Sequence, residues 1–460
     1  MERKRRPIFR RFIMLPSFAF FTRASHRLGG RVTGSGRVVV LGLLACGLFS
    51  VDTTRTQAYQ LFSLLCGLML LAMLFSWRFK SQVHLIRRVP PHATLGLPFP
   101  CVVEVVNHGN QEQRELTLGE TPPHSTPTLL EFLHYRQPGE EKRNWFDRHV
   151  AFERFVWLSR QKQGFHAQTT PLPPLPSQGR CQVTLEITPH RRGRVQLPGP
   201  HLLRPDPLGL FLARENHPQS ASILVLPKRY RLPAGFTMPG HRRHQPGGLS
   251  LVSTVGEAEE FIGLREYRPG DTLRRIHWPG LARHGQLLVR EYQEEYFTRY
   301  GLILDTFTHT GEDPARFEEA VSLAASFSAV VEAGDALLEL LFVGQTAYHF
   351  TAGRGIAHAA QILEILACVE ETPQHPFQQL SHLVVSQASL LGGCVLILLH
   401  WDEEREKLVE KLSQWNLPLL ILRIAENTHL PFPPPLHHPA SRCYTVAPGQ
   451  GGEILAGILP

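Results

Sequence analysis

The feature that most constrains this chain is a run of twenty residues, 58–77, that carries no charged side chain. As a helix with a rise of about 1.5 Å per residue it would be about 30 Å long, which matches the core of a lipid bilayer. A second uncharged run, 38–51, would be about 21 Å long and alone fits a short span, a re-entrant segment or a buried helix. Because the longer run lacks the polar face of a surface helix, we expect it to cross a membrane.

Positive charge is concentrated beside these two runs. The whole chain carries +8: residues 1–37 supply +9, residues 38–77 sum to zero, residues 78–88 supply +4, and the remainder carries −5. Basic residues on the outer sides of both runs predict a transmembrane helical hairpin, with spans at 38–51 and 58–77 and both ends in the cytoplasm. A single span would leave the four basic residues of the second cluster on the wrong side. The basic N-terminus is expected to lie on anionic lipid of the bilayer surface.

Composition excludes several classes of protein. A mean hydropathy of −0.12 excludes a polytopic transporter, and a hydrophobic content of 43% excludes a disordered chain. The seven cysteines include no CxxC pair, which fits a reducing compartment. Since the chain beyond residue 88 is mildly acidic, we expect no nucleic-acid partner.

Residues 81–231 predict a domain that resembles an antiparallel β-sandwich. Short apolar runs alternate there with proline, glycine and asparagine, as in small sheets with tight turns. Within it, residues 105–110 predict a strand that enters a turn, and residues 171–176 predict an extended, proline-rich loop. Residues 232–299 are expected to be a linker followed by a signature region.

Residues 300–460 predict an α/β domain, because strands and helices alternate along them. The predicted strands are 301–305, 338–343, 394–399 and 417–423, and the predicted helices are 314–331 and 403–414. Such alternation produces a mostly parallel sheet with helices on both faces. Functional groups gather at the carboxyl ends of strands in such sheets, and Asp305 follows the first of them.

The signature region contains the runs REYRPGD, which starts at Arg265, and RRIHW, which starts at Arg274. Pro269 and Gly270 predict a type II turn. Asp271 is then expected to cap a short helix that runs through Trp278 and that Pro279 helps to end. Arginines and carboxylates alternate here, and planar guanidinium groups pair well with them. The candidate site residues are Arg265, Glu266, Tyr267, Pro269, Gly270, Asp271, Arg274, Arg275, His277, Trp278, Arg283 and Arg290.

This region closely resembles the signature of the domain of unknown function 58 family, a group of bacterial membrane proteins. The likeness extends to the N-terminal hairpin, to the Arg-Gly-Arg run at 192–194, to the run DPLGLF at 206–211 and to the strand that ends at Asp305. One departure is that Pro279 and Gly280 stand where relatives tend to carry a lysine after the tryptophan. A role that depends on that lysine is therefore not expected for this chain.

The resemblance implies a C-terminal domain similar to von Willebrand factor A domains. It also implies an adaptor or assembly factor at the bacterial cytoplasmic (inner) membrane, as a multi-pass protein. Members are often encoded beside MoxR-type AAA+ ATPases and transglutaminase-like membrane proteins, so we expect a MoxR-type AAA+ ATPase and other membrane proteins as partners.

A von Willebrand A domain that holds Mg²⁺ begins its site with D-x-S-x-S, whose oxygens are hard ligands. Here Asp305 is present, but Phe307 and His309 replace both serines. The hydroxyls of Thr306 and Thr308 are one residue out of phase and would point the other way on an extended segment. We expect a degenerate, metal-free site and no cofactor, with a metal-dependent von Willebrand A-type protein as an alternative.

No hydrolase elbow, P-loop or HExxH motif occurs in the sequence, so a non-enzymatic adaptor is expected. The signature has three interpretations: a structural clamp between domains, which we favour, a protein-docking surface, and an anion-binding or catalytic pocket. The third corresponds to a membrane-bound enzyme that acts on an anionic substrate through the Arg/Glu/His cluster, with His277 as a base beside Glu266 or Asp271.

Overall fold

A computed structural model gives the structure of the protein. It describes residues 31–457 except 50–55, 124–126, 129–131, 133–139, 141–142, 145–150, 234–235, 237, 239–259, 272, 294–297, 310–312, 333–335, 354–355, 373–375 and 426–437. The predicted lipid-bound segment before residue 31, most of the predicted loop between the two spans and most of the predicted linker lie outside the described residues.

The protein is a multidomain, mixed α/β chain with several sheets. The helices are α1 (Gly34–Phe49), α2 (Thr56–Trp77), α3 (Phe152–Gln163), α4 (Trp278–His284), α5 (Pro314–Ser326), α6 (Ser328–Glu332), α7 (Ile356–Cys368), α8 (Gln378–Gln387), α9 (Glu403–Gln414) and α10 (Gly451–Gly457).

The strands of the first sheets are β1 (Val83–Arg88), β2 (His92–Thr94), β3 (Phe99–Asn107), β4 (Thr117–Glu120), β5 (Phe165–Ala167), β6 (Thr170–Pro171), β7 (Arg180–Pro189), β8 (Gly193–Leu197), β9 (Pro200–Pro205), β10 (Leu212–Asn216) and β11 (Ala221–Leu226). The later strands are β12 (Glu260–Glu266), β13 (Leu288–Gln293), β14 (Thr298–Leu304), β15 (Ala336–Val343), β16 (Ala347–Ala352), β17 (Gly393–Leu398), β18 (Leu419–Ile424) and β19 (Arg442–Val446).

The described residues divide into two compact units. The first contains the chain up to Arg229 together with Thr308–Ala325 and Leu363–Glu370. The second contains Tyr230–Phe307, Ser326–Ile362 and the chain from Glu371 onward.

In the first unit, the apolar helices α1 and α2 pack against each other. Residues Gln57–Trp77 are long and apolar enough to cross a membrane, whereas the apolar part of α1, Gly34–Leu48, is shorter than a full span. Among the described residues only this one helix qualifies, so the two-span hairpin stays a prediction. Leucines such as Leu48 and Leu70 are exposed, which is the reverse of a core helix of a soluble protein.

The first unit also contains three small sheets, with strand orders β1-β3-β7-β5, β10-β9-β4-β6 and β2-β11-β8. Pairing is antiparallel except between β2 and β11, which are parallel. Inward residues alternate along β3, where Cys101, Val103 and Val105 are fully buried. They join residues of several other strands in one apolar core.

In the second unit, a six-stranded sheet has the order β16-β15-β14-β17-β18-β19. All neighbours are parallel except β15 and β16. Chain order therefore reverses between β14 and β17, as in doubly wound sheets. Helices α8 and α9 cover one face, where Leu380 and Leu408 meet Ile303 and Leu396 in one buried cluster.

Of the two helices predicted in this part of the chain, one differs from the structure and one matches it. The predicted helix 314–331 is interrupted at Phe327, a fully buried residue whose ring lies 6.0 Å from that of Phe236, so α5 and α6 are separate. The predicted helix 403–414 matches α9, which Asp402 caps by accepting the Arg405 N–H at 3.0 Å.

Candidate functional site

The signature region folds as a small unit around a β-hairpin. We call the described residues 260–293 the signature module. Strands β12 and β13 pair antiparallel, with Arg265 opposite Val289 and Leu264 opposite Arg290. Between them, Ile276 forms an isolated bridge with Val289, and both side chains are buried. The module therefore has a small apolar centre of its own.

The REYRPGD run forms a closed turn at the end of β12. The Asp271 N–H donates to the Arg268 carbonyl at 3.1 Å, and Gly270 has a φ of 110°, as the third residue of a type II turn requires. The two terminal nitrogens of Arg265 donate to the two Asp271 oxygens at 2.8 and 2.7 Å, and the Arg268 N–H donates to the same carboxylate at 2.8 Å. These bonds lower the pKa of Asp271 to about 2, and the bonds from Arg265 have the largest effect.

The prediction that Asp271 caps a helix running through Trp278 is wrong. Its carboxylate is engaged within the turn, residues Leu273–Arg275 form a 3₁₀ turn, and α4 begins at Trp278. His277 caps α4 instead, since its Nδ1 accepts the Gly280 N–H at 3.1 Å. Pro279 lies in the first turn of α4 and helps to start this helix rather than to end it, because a first-turn N–H has no partner within the helix.

The candidate residues thus fall into an inner and an outer group. Arg265, Asp271 and His277 hold the module together by the bonds above. The outer group is exposed: Trp278 is 58% and Leu273 68% accessible, and the side chains of Arg268, Arg274, Arg283 and Arg290 are also exposed. Pro269, Gly270 and Glu266 lie in or beside the exposed turn, Tyr267 is half-buried, and the Arg275 side chain lies outside the described residues.

Sequence reasoning missed three apolar members of the outer group. Leu264, Leu273 and Leu287 are all more than 40% exposed. They lie among the arginines in the sequence, and leucine is usually assigned to a core. Exposed tryptophan beside arginine is typical of protein-binding hot spots, and the neighbouring exposed leucines add apolar area to that surface.

The second candidate position, Asp305, is fully buried directly after β14. Its carboxylate pairs with the guanidinium of Arg405, with Nε to Oδ2 at 2.7 Å and Nη2 to Oδ1 at 3.2 Å. Burial raises the pKa of Asp305, and the Arg405 charge opposes that rise. The Thr306 hydroxyl donates to the Val343 carbonyl and not to Asp305, as the alternation of an extended segment predicts.

The residues around Asp305 do not fit a divalent cation. A guanidinium fills the space beside the carboxylate, and a second cation there would meet like charge. In the described part of the chain, no group of three or more His, Cys, Asp or Glu side chains is arranged to hold a metal ion.

The DPLGLF run lies against the base of α1. The Asp206 carboxylate accepts the N–H groups of Leu208 and Phe211 at 3.0 and 2.6 Å, which closes a tight loop. The Thr33 N–H then donates to the Leu210 carbonyl at 3.0 Å, and a Cβ atom added at Gly36 would overlap that same oxygen. This run therefore attaches the first apolar helix to the β-rich part of the first unit.

Arg192 of the Arg-Gly-Arg run is a buried link within the same unit. Its Nε donates to the Glu318 carboxylate at 3.0 Å, and its Nη1 donates to the carbonyls of Leu366 and Val369 at 3.1 and 2.6 Å. The guanidinium also lies 5.0 Å from the centre of the Phe317 ring. A structural clamp is thus found at Arg192, a position whose role the sequence did not indicate.

Comparison with known proteins gives a family match for part of the chain. Residues 263–389 match the family described as protein of unknown function DUF58, a segment that includes most of the signature module and Asp305 but not Arg405. The uncharacterized protein YeaD of Bacillus subtilis (strain 168) is 24% identical over an alignment 218 positions long, which covers 41% of this chain and 54% of that protein. The alignment thus spans about half the length of this curated relative.

Two solved structures show only a remote likeness. A Bacteroides fragilis protein named as a beta-galactosidase has 10% sequence identity and a TM-score of 0.14, with 80% of this chain and 41% of that chain covered. A GH20 exo beta-N-acetylglucosaminidase from Vibrio harveyi has 10% identity and a TM-score of 0.14, with 76% and 58% covered. At such scores the likeness carries no argument about fold or activity. The match of residues 263–389 to DUF58 is the comparison that bears on the candidate site.

Proposed function

We propose that this chain is a membrane-anchored, cytoplasm-facing adaptor whose signature module docks a protein partner, a MoxR-type AAA+ ATPase, in the assembly or maturation of other proteins. The observation that carries this proposal is the exposure of Trp278 and Leu273 on a module that other residues hold together. A residue that serves only the fold is normally buried where it acts. A large apolar side chain held in water beside arginines is instead the usual composition of a binding hot spot.

The partner surface is expected to be acidic around an apolar pocket. Four described arginine side chains of the module, at positions 268, 274, 283 and 290, are exposed. Arg265, by contrast, is neutralised by Asp271. Carboxylates on the partner would pair with the exposed arginines and speed association, while the indole of Trp278 would supply most of the buried apolar area.

Two further features support the membrane and domain parts of the proposal. The apolar side chains of α1 and α2 are exposed, and the basic residues flank them, as expected for a hairpin inserted with both ends in the cytoplasm. The strand order of the six-stranded sheet, with its reversal between β14 and β17 and one antiparallel edge strand, supports a von Willebrand A-like domain.

The geometry of His277 favours the adaptor over a membrane-bound enzyme. Nδ1 of His277 accepts a backbone N–H of α4, and Asp271 is committed to Arg265, so the two candidate proton carriers serve the fold. A general base needs a free lone pair aimed at its substrate.

The test is an affinity measurement between the purified full-length protein in detergent and a MoxR-type AAA+ ATPase from the same organism. Trp278→Ala and Leu273→Ala should each weaken binding about thirtyfold, because a hot-spot side chain contributes about 2 kcal/mol. Trp415→Ala is the matched control, since Trp415 is a 44% exposed tryptophan after α9, outside the module.

Stability measurements separate the adaptor from the clamp. The adaptor predicts that Trp278→Ala keeps the wild-type thermal midpoint, because the side chain buries little area. If Trp278→Ala lowers that midpoint and leaves the affinity of the folded protein unchanged, the clamp interpretation is right and the docking proposal is wrong. Turnover of an anionic substrate that His277→Gln abolishes would support the enzyme instead.

A further inference from the structure

The crevice at the carboxyl end of the six-stranded sheet has an unusual occupant. Sheets whose chain order reverses between two neighbouring strands bind ligands at that reversal, beyond the strand ends. Here the reversal lies between β14 and β17, and Asp305 and Leu399 are the residues that follow those strands. The side chain that reaches this point is Arg405, which comes from the first turn of α9.

Arg405 and two peptide groups use the full hydrogen-bonding capacity of Asp305. Oδ1 accepts the Phe307 N–H at 3.1 Å and Arg405 Nη2–H at 3.2 Å. Oδ2 accepts the Leu399 N–H at 3.1 Å and Arg405 Nε–H at 2.7 Å. A carboxylate offers about four lone-pair positions, so none is left to ligate an ion.

The guanidinium is enclosed on its other sides as well. Its Nη1 donates to the Asp402 carboxylate, and its central carbon lies 4.5 Å from the centre of the Phe377 ring. That ring packs edge-on against Phe307, with 5.7 Å between centroids. Only 3% of the Arg405 side chain is exposed, so solvent ions do not reach the guanidinium.

Two loops depend on this one side chain. Asp305 belongs to the segment after β14, whereas Asp402 and Leu399 belong to the segment between β17 and α9. In a metal site, a bound divalent cation would hold such oxygen ligands together. Here the guanidinium of Arg405 holds these ligands together instead, because it is positively charged and its planar donors reach two carboxylates. Unlike a metal ion, this group is covalently part of the chain.

We propose that Arg405 is a built-in cation that takes the place of a divalent metal at the Asp305 crevice. The α/β domain therefore keeps its loops in one arrangement without Mg²⁺ or Mn²⁺, and any partner bound at this end of the sheet is recognised in a metal-independent way. This proposal does not depend on the docking role of the signature module.

A double-mutant cycle on the full-length protein tests the proposal through thermal midpoints. Arg405→Met should lower the midpoint by roughly 10 °C, because removing one partner leaves a buried, uncompensated carboxylate. Asp305→Asn should lower it by a similar amount. The double variant Asp305→Asn/Arg405→Met should be no less stable than either single variant, since both charges are gone. Lys407→Ala, which removes an exposed ion pair on the same helix, is the control and should change little.

Two further measurements guard against a variant that fails to fold. Calorimetric titration with MgCl₂ or MnCl₂ should show no saturable binding at Asp305. The wild-type protein and Asp305→Asn should therefore give the same titration. In Arg405→Ala, methylguanidinium at millimolar concentration should raise the midpoint more than NaCl of equal ionic strength. Stoichiometric metal binding that is lost in Asp305→Asn would overturn the proposal, and so would additive effects of the two single substitutions.

Discussion

Arg192 provides the sharpest test of how the first unit is held together. We consider Arg192→Met, which keeps an unbranched apolar stem at this position but removes the guanidinium, and with it every donor and the cation contact with the Phe317 ring. The substitution leaves the carbonyls of Leu366 and Val369, at the C-terminal end of α7, without the partner that Arg192 provides. Glu318 loses its partner too, but its side chain is 39% exposed and can be hydrated.

The magnitude follows from these contacts. Each charged hydrogen bond to a buried carbonyl contributes about 1.5 kcal/mol, so the two together contribute about 3 kcal/mol. The half-exposed Glu318 pair adds less than about 1 kcal/mol because water screens it. For a unit of this size, Arg192→Met should lower the thermal midpoint by roughly 6–12 °C.

The assay is thermal unfolding of the full-length protein in detergent, followed by far-ultraviolet circular dichroism. Glu318→Gln is the matched variant, because it removes the charge of the partner and leaves both carbonyl bonds intact. We expect its midpoint to fall by no more than about 2 °C. Equal losses in Arg192→Met and Glu318→Gln would refute the reasoning, since the ion pair rather than the helix carbonyls would then be the stabilising contact.

Three other predictions follow from particular contacts. Burial lowers the pKa of His201 to about 4. Since an unfolded histidine titrates near 6.5, the unfolded state binds more protons than the folded state between these two pH values. The free energy of unfolding, measured with urea, should therefore fall by about 2 kcal/mol from pH 7 to pH 5. His201→Gln should remove that part of the slope, and an unchanged slope would contradict the assignment. Gly36→Ala should lower the thermal midpoint because its Cβ meets the Leu210 carbonyl, whereas Gly34→Ala, with open space around it, should not. Leu70→Arg on the exposed face of α2 should cost about 3 kcal/mol in a bilayer but almost nothing in water, so an unchanged membrane-inserted fraction would argue against the span.

The sequence predicted the central strands of the second unit, because burial on both faces requires apolar residues there. The central strands β14, β15, β17 and β18 are buried on both faces and read as continuous apolar runs. Strand β16 is at the sheet edge and is mostly exposed, so its residues AYHFTA carry no apolar pattern and it was not predicted. Helix α9 was predicted at its observed bounds because an acidic first turn precedes an amphipathic repeat.

The charged residues inside the fold could not be predicted in the same way. Arg405 occupies a helix whose other charges face water, and its partner Asp305 lies 100 positions away in the chain. Arg192 likewise meets Glu318 across 126 positions. Such pairs depend on the tertiary arrangement of loops, and a periodic pattern carries no information about them.

In the signature module, too, features fixed by local sequence could be predicted, whereas features that depend on tertiary contacts could not. Its turn at Pro269 and Gly270 was predicted because proline and glycine fix backbone angles locally. The assignment of Asp271 as a helix cap was wrong, because its strongest partner, Arg265, is on the neighbouring strand. Which residues point outward depends on how the 3₁₀ turn and α4 pack on the hairpin, and that is a property of the folded module.

The most direct test of the docking role is site-specific photo-crosslinking in native membranes. A photo-reactive amino acid at position 273, whose native leucine is 68% exposed, would report what lies against the module, with position 415 as the control. Docking through the signature module predicts a crosslink from position 273 to the MoxR-type ATPase and none from position 415. A crosslink from position 273 only to another part of this chain would contradict docking and show that the module is a clamp.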